Sequence, residues 1–375
     1  MKKLFYIVLV IVALMVISRF VKEKSNTTVE GIDKIANFMM KKYADLGMWT
    51  EKKTFRADLG PCVEARNHPK SKEIDLLLIG HMDTVFPVGT AAERPLTVDG
   101  NRVLGPGAAD MKSGTLLCTC LAAFVQAERP ELKLCIAHNC DEEIGSPSSD
   151  AWIRELASHA TYCFDLEPGR SDGSYVKTRK GVCRLSIKLH GKSAHAGVNP
   201  DDGASAVVEL AKWVCRFADP AYRNNGYRVN FGVVKGGTAY NVVPDSAECD
   251  VDIRFDTPED LQAAMSKFDE LRQHPFDQNV TAEITLMGQT PPMVVTENSK
   301  RLMRLLEDEG NSLGIDVKFV GTGGGSDASR VSSGGAAAID ACGPVCFYMH
   351  DAREYFLLDT VEPRLQLLMN VIQKL

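Results

Sequence analysis

Three short apolar runs in this chain each end on a residue able to hold a metal ion or move a proton. Leu77-Leu78-Ile79-Gly80 runs into His81-Met82-Asp83, Leu134-Cys135-Ile136-Ala137 leads to Asp141-Glu142-Glu143, and Cys163-Phe164-Asp165-Leu166 delivers Glu167. Runs so short and so apolar are what strands need when both faces of their sheet are covered, and they predict a buried, mostly parallel sheet. The apolar stretch from about Gly114 to Ala127 has the length of a helix between two such strands. In an open α/β sheet, ligands bind outside the carboxyl ends of the strands, which is where these polar residues stand.

The rhythm changes near Lys180. Val182, Leu185, Ile187 and Leu189 read as a strand, followed by a helix from about Ala204 to Phe217, strands at 229–234 and 247–255, a helix over 258–272 and a strand over 280–287. The order β-α-β-β-α-β is that of a ferredoxin-like unit. Around Pro291-Pro292 the first pattern resumes, with a helix to about Leu313, a glycine loop at 321–325, a strand at 336–340 and a final helix from Val361. The expected architecture is therefore an α/β domain at 25–179 and 289–375, split by an inserted domain at 180–288. Two domains also suit a chain of 375 residues. An amphipathic helix from Val29 to Leu46, stopped by Gly47, opens the globular part.

A net charge of −6 with both signs mixed leaves no basic stripe, which argues against a nucleic-acid partner. The 11 cysteines are odd in number, lie mostly in apolar runs and lack zinc-finger spacing, so they read as reduced core thiols. Residues 1–24 stand apart: Lys2-Lys3 precedes 15 uncharged residues, Leu4 to Ser18, with no small-residue cleavage site after them. An uncleaved membrane anchor is the expectation, and a buried first helix in a cytoplasmic protein is the alternative.

His81, Glu142, Glu143 and Glu167 follow strands. Asp110 lies in the glycine-rich loop Gly105 to Lys112, ahead of a helix that it could simply cap. Imidazole and carboxylate together suit zinc, and one shared carboxylate lets two ions sit side by side. Adjacent Glu142 and Glu143 point to different sides, so that one can bind metal while the other faces a water. Asp83, two residues after His81, can hold the second ring nitrogen.

These residues carry a resemblance that extends from Val29 to the C-terminus. His81-Met82-Asp83-Thr84-Val85, Gly105-Pro106-Gly107 through Asp110, Asp141 to Ser146, Leu166-Glu167-Pro168, Ser193-Ala194-His195-Ala196-Gly197 and Gly323 to Ala328 resemble the aminoacylase/carboxypeptidase family of two-zinc metallohydrolases, and within it the bacterial glutamate carboxypeptidases. The resemblance implies two Zn2+ per subunit, with Co2+ or Mn2+ as substitutes. Asp110 would bridge them, His81 and Glu167 would complete one site, and Glu143 and His350 the other. It implies Glu142 as general base, a cis peptide bond after Asp110, and an insert serving as lid and homodimer interface. His195 would reach the partner's site to stabilise the oxyanion, and Arg254, Asn241 and the loop at Gly324 and Ser326 would hold the substrate carboxylate. Arg254 can also pair with Asp252 or Asp256 on its own strand.

The function expected is metal-assisted release of an amino acid with a free carboxylate from a small peptide or N-acyl amino acid. The alternatives are deacylation of N-acyl amino acids and a non-catalytic, metal-stabilised binding protein on the same fold.

Overall fold

The computed structural model describes residues 28–222 and 226–375, so the run at 4–18 lies outside the described residues. Two compact units result. Of the described residues, one comprises 28–178 with Val295–Thr322 and Ser326–Leu375; the other comprises Arg179–Val294 with Gly323–Gly325. The insert extends past residue 288 because Arg179 and Met293 exchange backbone hydrogen bonds, at 3.2 and 3.0 Å, and so close its two ends together.

The first unit is built on a six-stranded sheet in the order Trp49–Lys53, Cys62–Arg66, Leu134–Asn139, Ile74–His81, Ala160–Asp165, Ala337–Ile339. The last four strands run parallel to one another, while the first two pair antiparallel. The sheet is thus mixed, and its antiparallel edge was not expected from the sequence. Trp49–Lys53 is a half-exposed edge strand carrying Glu51, Lys52 and Lys53, so it lacks the apolar signature of its buried neighbours.

Ile74–His81 is the central strand, and Leu76 to Ile79 are wholly buried. Its parallel register sets His81 beside Asn139 and Ile79 beside Asp165, which brings three strand ends abreast. Helix Ser113–Glu128 covers these strands with Leu116, Leu117, Leu121 and Val125. It approaches so closely that a Cβ on Gly114 would lie 1.8 Å from the carbonyl oxygen of Leu166, the residue before Glu167. Only glycine fits there.

A small antiparallel sheet, Thr97–Asp99, Arg102–Leu104, Tyr355–Leu357 and Cys346–Phe347, ties the segment before Asp110 to the segment around His350. Its strands are two or three residues long and carry no periodicity that a sequence reading could detect. Helices Asp150–Ser158 and Asp327–Gly334, also unread in the sequence, pack on each other and on the central strands.

The second unit has four antiparallel strands in the order Tyr227–Gly236, Ser246–Phe255, Gly181–His190, Thr281–Thr290. Burial alternates residue by residue along Gly181–His190, and the buried side packs on helices Ala206–Ala218 and Pro258–Gln273. Trp213, Phe217 and Phe268 fill this separate core, the two phenylalanine rings stacking at 4.3 Å. The chain order and sheet order are those of the βαββαβ ferredoxin-like fold. Ten of the eleven cysteines are buried, Cys215 alone being exposed, and all are free thiols.

Gly114→Ala would drive a methyl group into the Leu166 carbonyl. The expected cost is ~1–3 kcal/mol, typical of overpacking, read as a lower denaturation midpoint at unchanged slope.

Candidate metal centre

His81 ends the central strand, buried to 2 % exposure. Its Nδ1 lies 3.1 Å from the carbonyl oxygen of Asp83 and 3.4 Å from that residue's Oδ1, which leaves Nε2 to face outward. Nε2 stands 3.1 Å from Asp110 Oδ1 and 3.6 Å from Glu167 Oε1. On the other side of the same carboxylate, His350 Nε2 lies 3.2 Å from Asp110 Oδ2 and 3.1 Å from Glu143 Oε2. The ligand atoms of His81, Asp110 and Glu167 lie within 4.8 Å of one another, as do those of Asp110, Glu143 and His350. Asp110 is common to both triads and offers each a different oxygen.

The local chain explains how Asp110 reaches that place. Gly107 has φ of +67°, and a Cβ on it would come within 2.6 Å of Thr84, so the loop turns sharply where only glycine is accommodated. The Asp110-Met111 peptide is cis. Glu354, buried to 1 % exposure, accepts the backbone N–H groups of Ala109 at 2.8 Å and Asp110 at 3.1 Å. The Lys112 ammonium beneath the loop donates to the Pro106 carbonyl at 2.8 Å.

The two adjacent glutamates sit on a short turn, Glu142–Ile144. Asp83 supports it, its two carboxylate oxygens accepting the N–H groups of Glu142 at 3.2 Å and Glu143 at 3.0 Å. Asp83 therefore orients the histidine ring at one end and the glutamate turn at the other. Behind the turn, Asp327 accepts from Asn139 Nδ2 and Ser146 Oγ, both at 2.6 Å, and pairs with Arg330, which also donates to the Gly145 carbonyl. Asp141 is fixed by Ser148 and Ser149.

The charges in this arrangement do not balance within the protein. Burial opposes the imidazolium of His81, yet Asp110, Asp83 and Glu167 outweigh it and hold its pKa well above the usual value. His350 is pushed up to about 10 by Asp110 and Glu143. Burial raises Glu167 well above the carboxylate range, with Asp110 adding to the effect. Glu142 is raised to about 8 by burial, offset in part by His81 and reinforced by Asp327, Asp110 and Glu143. Glu143 Oε1 is buried with no hydrogen-bond partner. An orphaned carboxylate oxygen in a cluster of acids is a place for cations. Two imidazoles and three carboxylates, one shared, are a donor set that zinc accepts. The residues fit a pair of ions.

His350 has φ of +64°, a conformation an L-residue keeps only when its surroundings impose it. No local sequence signal marked it. Glu354 was also invisible in the sequence, since its partners lie about 245 positions away; Asp351-Ala352-Arg353-Glu354 reads as a surface turn.

Of the remaining site residues expected from the sequence, His195, Asn241, Arg254 and Gly324 lie in the second unit and Ser326 in the first. His195 is exposed, and its Nδ1 accepts the Gly197 N–H at 3.1 Å, which places the neutral ring's proton on Nε2. Asn241 is exposed and pins the same loop, its carbonyl accepting the Ala196 N–H at 3.0 Å. Arg254 makes the pairing that its own strand offers. Its Nε and Nη2 grip Asp252 at 2.7 and 3.1 Å, and Nη1 donates to the Gly323 carbonyl at 3.0 Å. The fork foreseen for a substrate carboxylate is thus occupied by Asp252 and by the glycine loop. Gly324 gives its carbonyl to Arg179 Nη1 at 3.1 Å. Ser326 is buried at the start of helix Asp327–Gly334, donating to Asp340 Oδ2 at 2.6 Å and accepting the Ala328 N–H. Its hydroxyl caps that helix.

A sequence model of peptidase family M20/M25/M40 matches residues 77–374, most of the chain. The chain belongs to that family. It is 29 % identical over 355 residues to carboxypeptidase G2 of Pseudomonas sp. (strain RS-16), covering 92 % of this chain and 85 % of that protein. The solved aminopeptidase PepT from Bacillus cereus shares its fold at a TM-score of 0.81 and 20 % identity, covering 96 % of this chain and 97 % of that one. The YXEP protein of Bacillus subtilis, a dinuclear metal-binding peptidase of the M20 family, does so at 0.71 and 14 % identity, covering 98 % of each chain. The protein is thus a hydrolase of the metallopeptidase class, on the α/β fold with an inserted domain that its family shares.

Glu354→Ala would release the backbone of Ala109 and Asp110 without removing any triad atom. Metal affinity is expected to fall ~10–100-fold, as for other groups that orient metal ligands, measured by competition against a chromophoric chelator.

Proposed function

We propose that this chain is a zinc-dependent carboxypeptidase-type amidohydrolase that releases an amino acid with a free α-carboxylate from a small peptide or N-acyl amino acid. The observation that carries the reading is Glu142, a carboxylate held beside both triads yet belonging to neither. A site that only stabilises a fold has no use for such a group, whereas hydrolysis needs a base next to the attacking water. The 29 % identity to carboxypeptidase G2 supports the choice of substrate class.

When bound, the two ions supply Lewis acidity that polarises the scissile carbonyl and makes a water acidic enough to attack it. His81, Asp110, Glu167, Glu143 and His350 hold them. Glu142 accepts the proton of the attacking water and delivers it to the leaving amine nitrogen. Asp83 keeps both the His81 ring and the glutamate turn in position. His195, with its Nε2 proton free to donate, is assigned to the oxyanion of the tetrahedral intermediate, in the site of a second copy of the chain. Asn241 and the backbone of the Gly323–Gly325 loop are assigned to the substrate carboxylate, Arg254 acting by holding that loop. The run Leu4–Ser18 supports placing this activity at a membrane surface.

Glu142→Gln should retain its metal content by elemental analysis and lose ~10²–10⁴-fold in kcat toward N-acyl amino acids. A variant that stays active removes Glu142 as the base, and wild-type activity indifferent to chelators removes the metal mechanism altogether.

The assignment of His195 across subunits is tested by mixing two defective variants. In a heterodimer of Glu142→Gln and His195→Ala, one site would combine an intact Glu142 with an intact His195 of the partner subunit. An equimolar mixture allowed to exchange subunits should regain about a quarter of wild-type activity, the share of sites that are then complete in a two-fold dimer. No recovery would place His195 in the site of its own chain.

A further inference from the structure

Strand Ile74–His81 parts from one neighbour just before the metal centre. Its register with Ala160–Asp165 ends at Ile79 and Asp165, and the Leu166 N–H closes that ladder on the Ile79 carbonyl at 3.0 Å. Backbone direction alternates along a strand, so the His81 amide faces the same side as that of Ile79. A regular parallel ladder would send it to the Leu166 carbonyl. Gly114, at the start of helix Ser113–Glu128, lies against that carbonyl instead, close enough that a Cβ on it would come within 1.8 Å. His81 therefore ends its strand, buried, with a backbone donor that the sheet does not serve. A buried N–H without a partner is costly.

The partner is a side chain. The His81 N–H donates to Met111 Sδ at 3.1 Å, and Met111 is itself buried to 1 % exposure. A Cβ on Gly80 would lie 2.5 Å from the Met111 methyl carbon, and one on Gly114 3.0 Å from it. The two glycines thus leave a slot between strand and helix that an unbranched side chain fills. The Thr115 hydroxyl, also from the helix, donates to the Met111 carbonyl at 3.2 Å and stands 3.5 Å from that of His81. Other apolar residues could occupy the slot, but among them only a thioether offers an acceptor, a weak one.

Met111 directly follows the residue whose carboxylate both triads share. Asp110 Oδ1 meets the ring end of His81, 3.1 Å from Nε2, while Met111 Sδ meets its amide end. Two consecutive side chains grip one histidine from opposite ends. Asp83 lies beside the other ring nitrogen, Nδ1, and the backbone that carries the ring is held by Met111. We propose that Met111 is a positioning residue of the metal centre, its thioether fixing the strand end from which His81 reaches the ion shared with Asp110 and Glu167. The effect is confined to that triad, because Glu143 and His350 stand on other segments of the chain. This role rests on the two-metal reading given above.

The test combines two measurements on the full-length protein. Competition of the zinc-loaded form against a chromophoric chelator reads the two ions in successive steps. Hydrogen exchange of the metal-free form, resolved at the His81 amide by electron-transfer fragmentation, needs no metal. Met111→Leu keeps the apolar bulk and removes the acceptor. It should weaken one ion about tenfold or more, leave the other near wild type, and speed exchange of the His81 amide several-fold. Met82→Leu, the same change at a neighbouring residue whose own amide donates to the Asn139 carbonyl at 2.9 Å, should do none of these. Gly80→Ala, whose methyl would displace the thioether with Met111 unchanged, should reproduce the selective loss and decides the matter if Met111→Leu does not fold. Both ions held at wild-type affinity, both weakened alike, the same loss in Met82→Leu, or a His81 amide that exchanges as in wild type would each overturn the role of Met111. A wild type that takes up no zinc overturns the two-metal reading instead, and amide exchange then still decides whether Met111 holds the strand end.

Discussion

Asp110 turns one carboxylate oxygen toward His81 and the other toward His350, at 3.1 and 3.2 Å, and the first unit is arranged to keep it there. A carboxylate shared between two imidazoles must be fixed in rotation as well as in place. The glycine turn at Gly107 and the grip of Glu354 on two successive amides supply that fixity. The central strands bring His81 and Glu167 to one side of Asp110, while the small sheet around Tyr355 brings His350 and Glu354 within reach. Remote segments of the chain therefore converge on a single side chain.

Convergence of this kind concentrates negative charge. Asp83, Asp110, Glu142, Glu143 and Glu167 occupy one strand edge, where burial alone would drive several of them toward the neutral form. The protein offsets part of this with charged imidazoles and with backbone N–H groups directed at Asp83 and Glu354. It leaves Glu143 Oε1 unsatisfied. The deficit is what divalent cations remove, so metal binding and the ordering of this edge are expected to be coupled.

What the sequence revealed of this follows from how each feature is encoded. Leu77 to Ile79, Leu134 to Ala137 and Cys163 to Leu166 announce buried parallel strands because both faces are apolar, and the polar residues after them announce the edge. His81, Glu142, Glu143 and Glu167 were legible for that reason. The antiparallel edge strands were not, since half-exposed strands such as Trp49–Lys53 look like charged loops. Glu354 and Asp327 act through contacts 181 to 245 residues apart in the chain, which no local pattern records. Arg254 and Ser326 each also have a partner within the protein. Their residue types suit a ligand, and they suit Asp252 and Asp340 as well, a choice that local sequence leaves open.

The two units hold their candidate residues on different kinds of scaffold. All five triad residues, with Glu142, Asp83 and Glu354, come from the first unit, on strand ends and turns tied down by buried hydrogen bonds. His195, Asn241 and Arg254 come from an insert whose core of Trp213, Phe217 and Phe268 is complete in itself. A domain with its own core has its own stability, so it can vary its loops without disturbing the other. Metal geometry tolerates little displacement and sits on the rigid sheet edge. His195 and Asn241 lie on exposed loops of the insert, where sequence change costs least.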